Sequence, residues 1–327
     1  MIDLHLHFDG SLLPRTILEL AGEQQLSLPA EEPDELKLFL TAPEDCGSLN
    51  EYLEKFDLPL LVLQTKEGIR KAMYTLLSSL KEQGMLYAEL RFAPQSHLRK
   101  GLTQEDAVKA AILGMQEAAA GSFFMAKLIL CCMRGADNKE ANKRTVETAA
   151  KFLGRGVAAV DLAGAEALFP TADYEELFAY AKKLGVSYTI HAGEADGPES
   201  IEAALRFGAA RIGHGVRANE DAGLLEQLKE RQIPLEMCPT SNVQTKAVKS
   251  FSEHPILAYL RSGLKVTVNT DNMTVSDTTI EREYRRLEEE LGMTKEEKKL
   301  LLFNAADAAF LTEEERGRMK DVIGRIL

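Results

Sequence analysis

Four of the six histidines in this chain lie where short apolar runs end, and an aspartate follows another such run. Three imidazole nitrogens and one carboxylate oxygen form a ligand set that suits a single zinc ion, and bound zinc activates water at neutral pH. This combination predicts a metal-dependent hydrolase. The five candidate residues are His5, His7, His191, His214 and Asp271.

The spacing of these residues indicates how each could act. His5 and His7 are two apart on a predicted strand, so both side chains point to the same face. Glu194 follows the histidine of the HAGE motif by three positions, and its carboxyl group could donate a proton to a substrate if burial raises its pKa. His214 and the free oxygen of Asp271 could accept the proton of the attacking water.

Each of these residues also has an ordinary structural interpretation. His191 could cap a turn, Asp271 could be a loop aspartate, and Glu194 could be a surface turn residue. Metal binding is favoured because all the positions converge on one end of a predicted barrel. A second metal ion bridged by a modified lysine is disfavoured, because the fourth predicted strand ends VDLAG, without a lysine.

The elements that must position these residues alternate along the chain. Short apolar runs bounded by turn residues are followed by segments of helical periodicity. Repeated strand–helix units form a parallel sheet, and eight units predict a closed (β/α)8 TIM barrel with its active site at the carboxyl ends of the strands. The predicted strands are residues 2–7, 85–91, 126–133, 157–163, 186–191, 211–214, 234–237 and 265–270.

Two regions depart from the strand–helix alternation. A helical insertion follows the first strand, and extra helices follow the last one. Their helical patterns cover residues 14–23, 49–64, 66–83, 277–291, 294–306 and 313–326. No stretch rich in Pro, Gly or Ser indicates a linker, so residues 1–327 are predicted to form a single domain with the first insertion above the strand ends.

The composition disfavours several classes of partner. The net charge is −12, from 39 basic and 51 acidic residues, which disfavours binding to nucleic acid or anionic membranes. No segment reaches the roughly 20 apolar residues of a membrane span, and the N-terminus lacks the pattern of a secretory signal. The four cysteines form no CxxC pair and no even disulfide spacing. We therefore expect a cytoplasmic protein that acts on a small molecule.

An ordered set of motifs resembles those of one enzyme family. HLHFDG, DLAG, HAGE, IGHG, EMCPTSN and NTDN occur in this order and at barrel spacing, and they resemble the motifs of bacterial-type members of the adenosine deaminase family. The resemblance extends from Ile2 to about Glu283. It implies a zinc-dependent hydrolase of purine metabolism that converts adenosine and 2′-deoxyadenosine to inosine and 2′-deoxyinosine with release of ammonia.

The resemblance also implies catalytic roles. One zinc ion would be bound by four side chains, those of His5, His7, His191 and Asp271. Glu194 would protonate N1 of the purine and make C6 electrophilic. Water activated by the zinc and oriented by His214 and Asp271 would then attack C6, and the tetrahedral intermediate would lose ammonia.

Further residues would bind the substrate, by the same resemblance. The predicted contacts are His7, Asp9, Gly164 and Asn272. The backbone N–H of Gly164 would contact purine N3, because a glycine lets the ring approach the backbone. Asp9 would accept a hydrogen bond from the ribose 5′-hydroxyl. Leu53 and Phe56 would belong to an apolar lid, although Leu and Phe at helical spacing are more often core residues.

The last motif departs from the more familiar form of the family. Asn272 stands where a second aspartate is common, in the position that contacts purine N7. Because N7 is a hydrogen-bond acceptor, an amide is a natural donor to it and needs no raised pKa. The change is therefore chemically permitted, and it bears on base specificity and pH dependence.

Related enzymes are the main alternatives. Adenine deaminases use the same metal chemistry but tend to carry Glu where this chain has Asp9, so Asp9 and the CPTSN stretch favour a nucleoside. Adenine or another 6-aminopurine nucleoside is the alternative substrate. A deaminase of AMP is disfavoured because no cluster of Arg and Lys is evident to hold a phosphate.

Two more distant alternatives are weaker. Zinc deaminases that act on cytosine or on nucleic acid carry an HxE…PCxxC pattern, and neither HAGE nor the Cys238–Pro239 pair fits it. A catalytically inactive barrel should have lost a ligand or the acid, and all of them are present. The oligomeric state is not indicated by the sequence.

Overall fold

The computed structural model describes residues 1–43 and 46–326, and eight parallel strands form its centre. Each strand pairs with the next one in the sequence, as expected when helices connect parallel strands. The strands β1 to β8 are Ile2–His7, Tyr87–Phe92, Met125–Met133, Val157–Ala163, Ser187–Ala192, Arg211–His214, Leu235–Met237 and Val266–Val268. The predicted TIM barrel is confirmed.

The barrel closes where β1 meets the chain after β8. Leu6 and Asp271 form a parallel bridge, in which Asp271 N–H donates to His5 O at 2.8 Å and His7 N–H donates to Asp271 O at 2.6 Å. Leu4 N–H is bonded to the side-chain oxygen of Asn269 at 2.9 Å. β8 therefore ends two residues earlier than predicted, at Val268, because side-chain bonds replace the regular ladder there.

The alternation of β1 explains how one short strand serves both the core and the site. Ile2, Leu4 and Leu6 belong to the main hydrophobic core, whereas the two histidines between and after them make polar contacts inside the barrel. All six residues are buried. This period of two is what a strand imposes on its side chains.

Helices surround the barrel and extend it. The helices α1 to α15 are Pro14–Gln24, Pro33–Leu40, Leu49–Leu53, Asp57–Val62, Lys66–Glu82, Gln104–Ala119, Lys139–Phe152, Glu175–Lys183, Pro198–Phe207, Ala222–Arg231, Pro239–Gln244, Ile256–Ser262, Ile280–Leu291, Lys295–Ala308 and Glu313–Ile326. α1 to α5 form the insertion after β1, and α13 to α15 follow β8, as predicted. Among the helices that the structure describes, none is both long and apolar enough to cross a bilayer.

The insertion differs from the prediction in one segment. Residues 49–64 show one helical pattern in the sequence but form α3, a 3-10 turn at Glu54–Phe56, and then α4. Pro59 lies in the first turn of α4, where its missing N–H is tolerated, whereas an uninterrupted helix would need that N–H to donate to the carbonyl of residue 55. The proline therefore fixes where the second helix begins.

Candidate active site

The predicted residues meet at the carboxyl ends of the strands, in one cavity. Its lining includes the predicted site residues and the two predicted lid residues: His7, Asp9, Leu53, Phe56, Gly164, His191, Glu194, His214, Asp271 and Asn272, with His5 directly beneath them. We use the name histidine cluster for His5, His7, His191, His214 and Asp271.

The seam between β1 and β8 places three members of the histidine cluster together. Asp271 bridges the backbones of His5 and His7, so its side chain lies between theirs. Asp271 Oδ1 is 3.4 Å from His5 Nε2 and 3.3 Å from His7 Nε2. Asp271 has a φ of +60°, a left-handed conformation that costs free energy in a residue other than glycine and is concentrated at functional sites.

The ladder between β5 and β6 brings in the other two histidines. His191 pairs with Gly213, and the next pair in register contains His214, whose φ is also positive at 59°. A Cβ on Gly213 would lie 3.1 Å from His191 Cα and 3.2 Å from the Cε1 atom of His5. Glycine at this position gives the His5 ring room against β6, since a side chain would require its neighbours to shift by a few tenths of an ångström.

The ring nitrogens of the cluster converge closely enough to share one ion. His191 Nε2 lies 3.1 Å from His5 Nε2 and 3.2 Å from His7 Nε2. One ligand atom from each of four residues lies within 4.8 Å of the others, and these residues are His5, His191, His214 and Asp271. Burial lowers the pKa of His7 well below its usual value, so this imidazole is neutral, as a metal ligand must be.

Acidic side chains anchor two of these imidazoles from outside. His5 Nδ1 is bonded to Glu236 Oε2 at 2.9 Å. Asp161 Oδ2 lies 2.8 Å from His191 Nδ1, although its direction departs from that of a linear N–H···O bond. Carboxylates behind histidine ligands fix the ring so that the other nitrogen faces the metal. The donor set and its anchors therefore fit a divalent ion.

Two residues of α11 fix the remaining side chains. Ser241 Oγ donates to Asp271 Oδ2 at 2.6 Å, which leaves Oδ1 for the ring nitrogens. Asn242 Oδ1 accepts the N–H of Cys238 at 3.3 Å, so the amide nitrogen of Asn242 faces His214 Nδ1, at 3.0 Å, and donates to it. A neutral His214 in this arrangement carries its proton on Nε2.

Glu194 is a buried carboxyl group in the cavity that could donate a proton. Its side chain is 5% exposed, and Oε1 has no hydrogen-bond partner within the described protein. Burial, followed by the nearby charges of Asp271 and Glu166, raises the pKa of Glu194 well above its usual value. This shift favours the protonated, neutral form of the carboxyl group, whose other oxygen lies 3.5 Å from His214 Nε2.

Three predicted substrate contacts lie around the same cavity. Asp9 follows β1, and burial raises its pKa to about 6. Gly164 follows β4 with a φ of +106°, a conformation that favours glycine. Because it carries no side chain, a ligand in the cavity can approach its backbone. Asn272 is buried, and its Oδ1 has no hydrogen-bond partner within the described protein.

The predicted lid residues face the cavity from the insertion. Leu53 ends α3 and Phe56 ends the following 3-10 turn. Phe56 lies edge-on to His7, with 6.3 Å between the ring centroids. Both side chains therefore contribute apolar surface to the opening, while Tyr52 beside them is bonded to Ser276 Oγ at 2.6 Å.

Sequence reasoning missed the polar residues that support the cluster. Five of them form connected buried ion pairs that we name the ion-pair layer: Glu89, Arg91, Asp161, Arg211 and Glu236. A charge inside an otherwise apolar strand was the available signal for these five. Ser241 and Asn242 lie in the EMCPTSN motif, and Glu166 lies two positions after the DLAG motif; none of the three has a spacing that identifies its partner.

Known proteins are similar to this chain in sequence and in fold. The family model described as adenosine deaminase matches residues 1–326. An adenosine deaminase of Haemophilus ducreyi is 50% identical over 97% of this chain and 93% of its own length, and one of Clostridium botulinum strain Okra is 42% identical over 99% and 97%. The crystal structure of an adenine deaminase from Arthrobacter aurescens superposes with a TM-score of 0.90 at 27% identity, over 99% of this chain and 98% of that one.

Proposed function

Because this chain belongs to the adenosine deaminase family, we propose that it hydrolyses adenosine and 2′-deoxyadenosine to inosine and 2′-deoxyinosine with release of ammonia. One observation carries the proposal. A ligand set for a divalent ion lies at the same cavity as a buried carboxyl group whose pKa is raised. Hydrolysis of an amidine needs both, because water must be activated and the ring nitrogen must be protonated.

We propose zinc as the ion, bound by His5, His7, His191 and Asp271. Three imidazoles and a carboxylate favour zinc over magnesium or calcium, which prefer oxygen ligands. When bound, the ion supplies Lewis acidity that makes water a nucleophile at neutral pH.

Glu194 would act on the base. Its raised pKa keeps the proton on the carboxyl group until N1 of the purine accepts it. Protonation of N1 makes C6 electrophilic, so the attacking water adds there. The 6-amino group then takes up the proton of the added hydroxyl and leaves as ammonia while the C6–O bond becomes a carbonyl. The apolar walls from Leu53 and Phe56 would exclude competing water while this occurs.

His214 and Asp271 would orient the attacking water. Because Asn242 donates to Nδ1 of His214, the neutral ring has its N–H at Nε2 and aims the water by donating to it. Acceptance of the water's proton would then be the task of Asp271, whose Oδ2 is held by Ser241. The sequence assigned proton acceptance to His214 and Asp271 together; in this proposal His214 orients the water and Asp271 accepts its proton.

The remaining contacts would select a purine nucleoside. Gly164 N–H would donate to N3, Asn272 to N7, and Asp9 would bind the 5′-hydroxyl of the ribose. We propose that a small-molecule nucleoside is the partner of this site. Described cysteines are all free and buried, which fits the cytoplasm as the compartment.

Adenine is the rival substrate, because the superposed structure from Arthrobacter aurescens is an adenine deaminase. The 50% identity with a curated adenosine deaminase favours the nucleoside. Another 6-aminopurine nucleoside would fit the same contacts, since only N1, N3 and N7 of the base are addressed.

Ammonia release by the purified, zinc-loaded protein tests the proposal. Adenosine, 2′-deoxyadenosine, adenine and AMP would be offered in parallel, with and without a chelator. We expect fast release from the two nucleosides that the chelator abolishes and added zinc restores. Release from adenine alone would make the rival correct and would remove Asp9 from its sugar role.

A further inference from the structure

Glu166 has an unusual set of hydrogen bonds for a residue outside the motifs of the site. It lies two positions after Gly164, and its side chain is 1% exposed. Its carboxylate accepts five hydrogen bonds from one short stretch of chain. The donors are Gly193 N, Glu194 N, Ala195 N, Asp196 N and Ser200 Oγ, at 2.7, 3.0, 2.7, 3.1 and 2.5 Å.

These bonds determine the course of the chain through residues 193–196. Four consecutive backbone N–H groups point at one carboxylate, an arrangement that fixes the backbone dihedrals between them. Hydrogen bonds to an ionised acceptor are about twice as strong as those between neutral groups. The stretch also precedes α9, whose N-terminal dipole favours a negative charge nearby. Residues 193–196 are therefore held far more firmly than an ordinary turn.

A second clamp holds the chain just before this stretch. The guanidinium group of Arg134 donates to His191 O at 2.6 Å, to Phe169 O at 2.6 Å and to Thr171 Oγ1 at 2.9 Å. The backbone of His191 is thus fixed to the loop after β4. Glu194 lies between the backbone of His191, which Arg134 holds, and Asp196, which Glu166 holds. Its own Oε1 has no hydrogen-bond partner among the described residues.

We propose that Glu166 is a positioning residue that acts through Glu194, by holding residues 193–196 so that the Glu194 carboxyl group faces N1 of the bound purine. This inference rests on the proposed function. Glu166 does not touch the substrate cavity, so its contribution differs from that of the residues that line it. Proton donation requires the carboxyl oxygen within hydrogen-bond distance of N1, and a displacement of about 1 Å costs about 100-fold in rate.

Replacement of the carboxylate by an amide is the direct test. In Glu166→Gln one acceptor oxygen becomes a donor that faces backbone N–H groups, so the turn relaxes. We expect kcat for adenosine to fall about 30- to 100-fold, while KM changes less than about 3-fold and zinc content stays at one ion per chain. Glu297→Gln is the matched control, because Glu297 also accepts a backbone N–H, from Thr294 at 2.8 Å, and lies outside the cavity; its kcat should equal that of the wild type.

A double-mutant cycle separates positioning from general loss of structure. If Glu166 acts through Glu194, then Glu166→Gln should lower the residual kcat of Glu194→Gln by less than about 2-fold, because the group being positioned is already absent. An equal loss in both backgrounds would overturn the proposal. If Glu166→Gln does not fold, Ser200→Ala removes only one of the five bonds, and its kcat should fall about 3-fold in the wild-type background and not in Glu194→Gln.

Two failures remain distinguishable in these measurements. A wild-type protein that releases no ammonia from adenosine refutes the proposed function. An active wild type whose Glu166→Gln variant turns over adenosine at the same rate per folded, zinc-loaded molecule refutes the positioning role alone. A fall in melting temperature with unchanged kcat would also refute the positioning role, since it would leave Glu166 as a purely structural residue.

Discussion

The histidine cluster and the ion-pair layer are both buried and both polar, yet they differ in how their groups are satisfied. In the ion-pair layer each charge meets its opposite: Arg211 lies 2.5 Å from Glu89 and 2.5 Å from Glu236, and Arg91 lies 2.8 Å from Glu236 and 2.9 Å from Asp161. In the histidine cluster the shortest contacts between side chains join nitrogen to nitrogen, at 3.1 and 3.2 Å.

This difference indicates a structural role for the ion-pair layer and a functional role for the histidine cluster. A buried polar group must be paired, and each charged group of the ion-pair layer has an oppositely charged partner within the layer. The histidine cluster gathers imidazole nitrogens and a carboxylate around a shared point, an arrangement that fits a divalent cation. The two regions are joined through Glu236, which binds both Arg91 and His5. Through this bond the ion-pair layer helps to orient the His5 ring.

The largest expected effect comes from removing the cluster's one anion. Asp271→Ala should abolish zinc binding and lower kcat/KM for adenosine by at least about 10,000-fold, because a ligand and the proton acceptor are lost together. Zinc should raise the melting temperature of the wild type and leave that of Asp271→Ala unchanged, as scanning calorimetry would measure. Asp221→Ala, which removes a helix-cap aspartate bonded to Leu224 N at 2.8 Å, is the control that should keep its zinc.

Glu194→Gln should separate chemistry from metal binding within the same region. The amide fills the same space but cannot donate an acidic proton, so kcat should fall about 1,000-fold while one zinc ion per chain and substrate binding are retained. Turnover and metal content would be measured on the same preparation. Glu199→Gln, an exposed neighbour, should behave as the wild type. Near-normal turnover of Glu194→Gln would contradict its role as proton donor.

Substitutions in the ion-pair layer should lower the free energy of unfolding, whereas substitutions in the histidine cluster should lower activity. Arg211→Leu leaves Glu89 without its cation, which should lower the free energy of unfolding by about 3–5 kcal/mol. kcat per folded molecule should stay within about 3-fold, since Arg91 still binds Glu236. Arg70→Leu, which breaks exposed pairs with Glu67 and Glu117, should leave the free energy of unfolding nearly unchanged in denaturant titrations. Comparable losses in both variants would remove the distinction between the two regions.

The sequence predicts the histidine cluster better than the ion-pair layer, for a physical reason. His5, His7 and Asp271 are strand-end residues whose types bind metals, and parallel strands of a barrel bring their ends together whatever the details of packing. The partner of His5 is different, because Glu236 lies 231 positions away and is chosen by side-chain packing inside the barrel. Its charge within an apolar strand indicates a buried pair without identifying the partner.

Fold prediction shows the same division. β1, β4 and β6 begin and end at the predicted residues, since their apolar runs are bounded by turns. β8 ends two residues before its predicted end because side-chain hydrogen bonds, such as that from Leu4 N–H to Asn269 Oδ1, replace the regular ladder there. The break between α3 and α4 was readable from Pro59, whereas the inward placement of Phe56 depends on the barrel mouth beneath it.

His97 is a buried histidine outside both regions, and burial favours its neutral form. Its Nδ1 bonds to Leu63 O at 2.9 Å, and burial lowers its pKa to about 4. A histidine with a lowered folded pKa stabilises the fold fully above its unfolded pKa of about 6.5, and this contribution is lost as pH falls toward 4. His97→Gln keeps a donor to the carbonyl but does not titrate, so its unfolding free energy should lose about 3 kcal/mol less than the wild type between pH 6.5 and 4. Parallel stability curves would contradict the shift.

Asn272 gives the smallest and most selective effect, because it would contribute one neutral hydrogen bond at the rim of the histidine cluster. Asn272→Ala should lower kcat/KM for adenosine about 10-fold, the value of one lost hydrogen bond of about 1.4 kcal/mol, without changing zinc content. 7-Deazaadenosine lacks the acceptor at N7, so wild type and Asn272→Ala should turn it over at equal rates. A roughly 10-fold difference that persists with 7-deazaadenosine would mean that Asn272 acts on its neighbour Asp271. The rim would then belong to the metal-binding machinery, and base recognition would have to come from Gly164 and Glu194 alone.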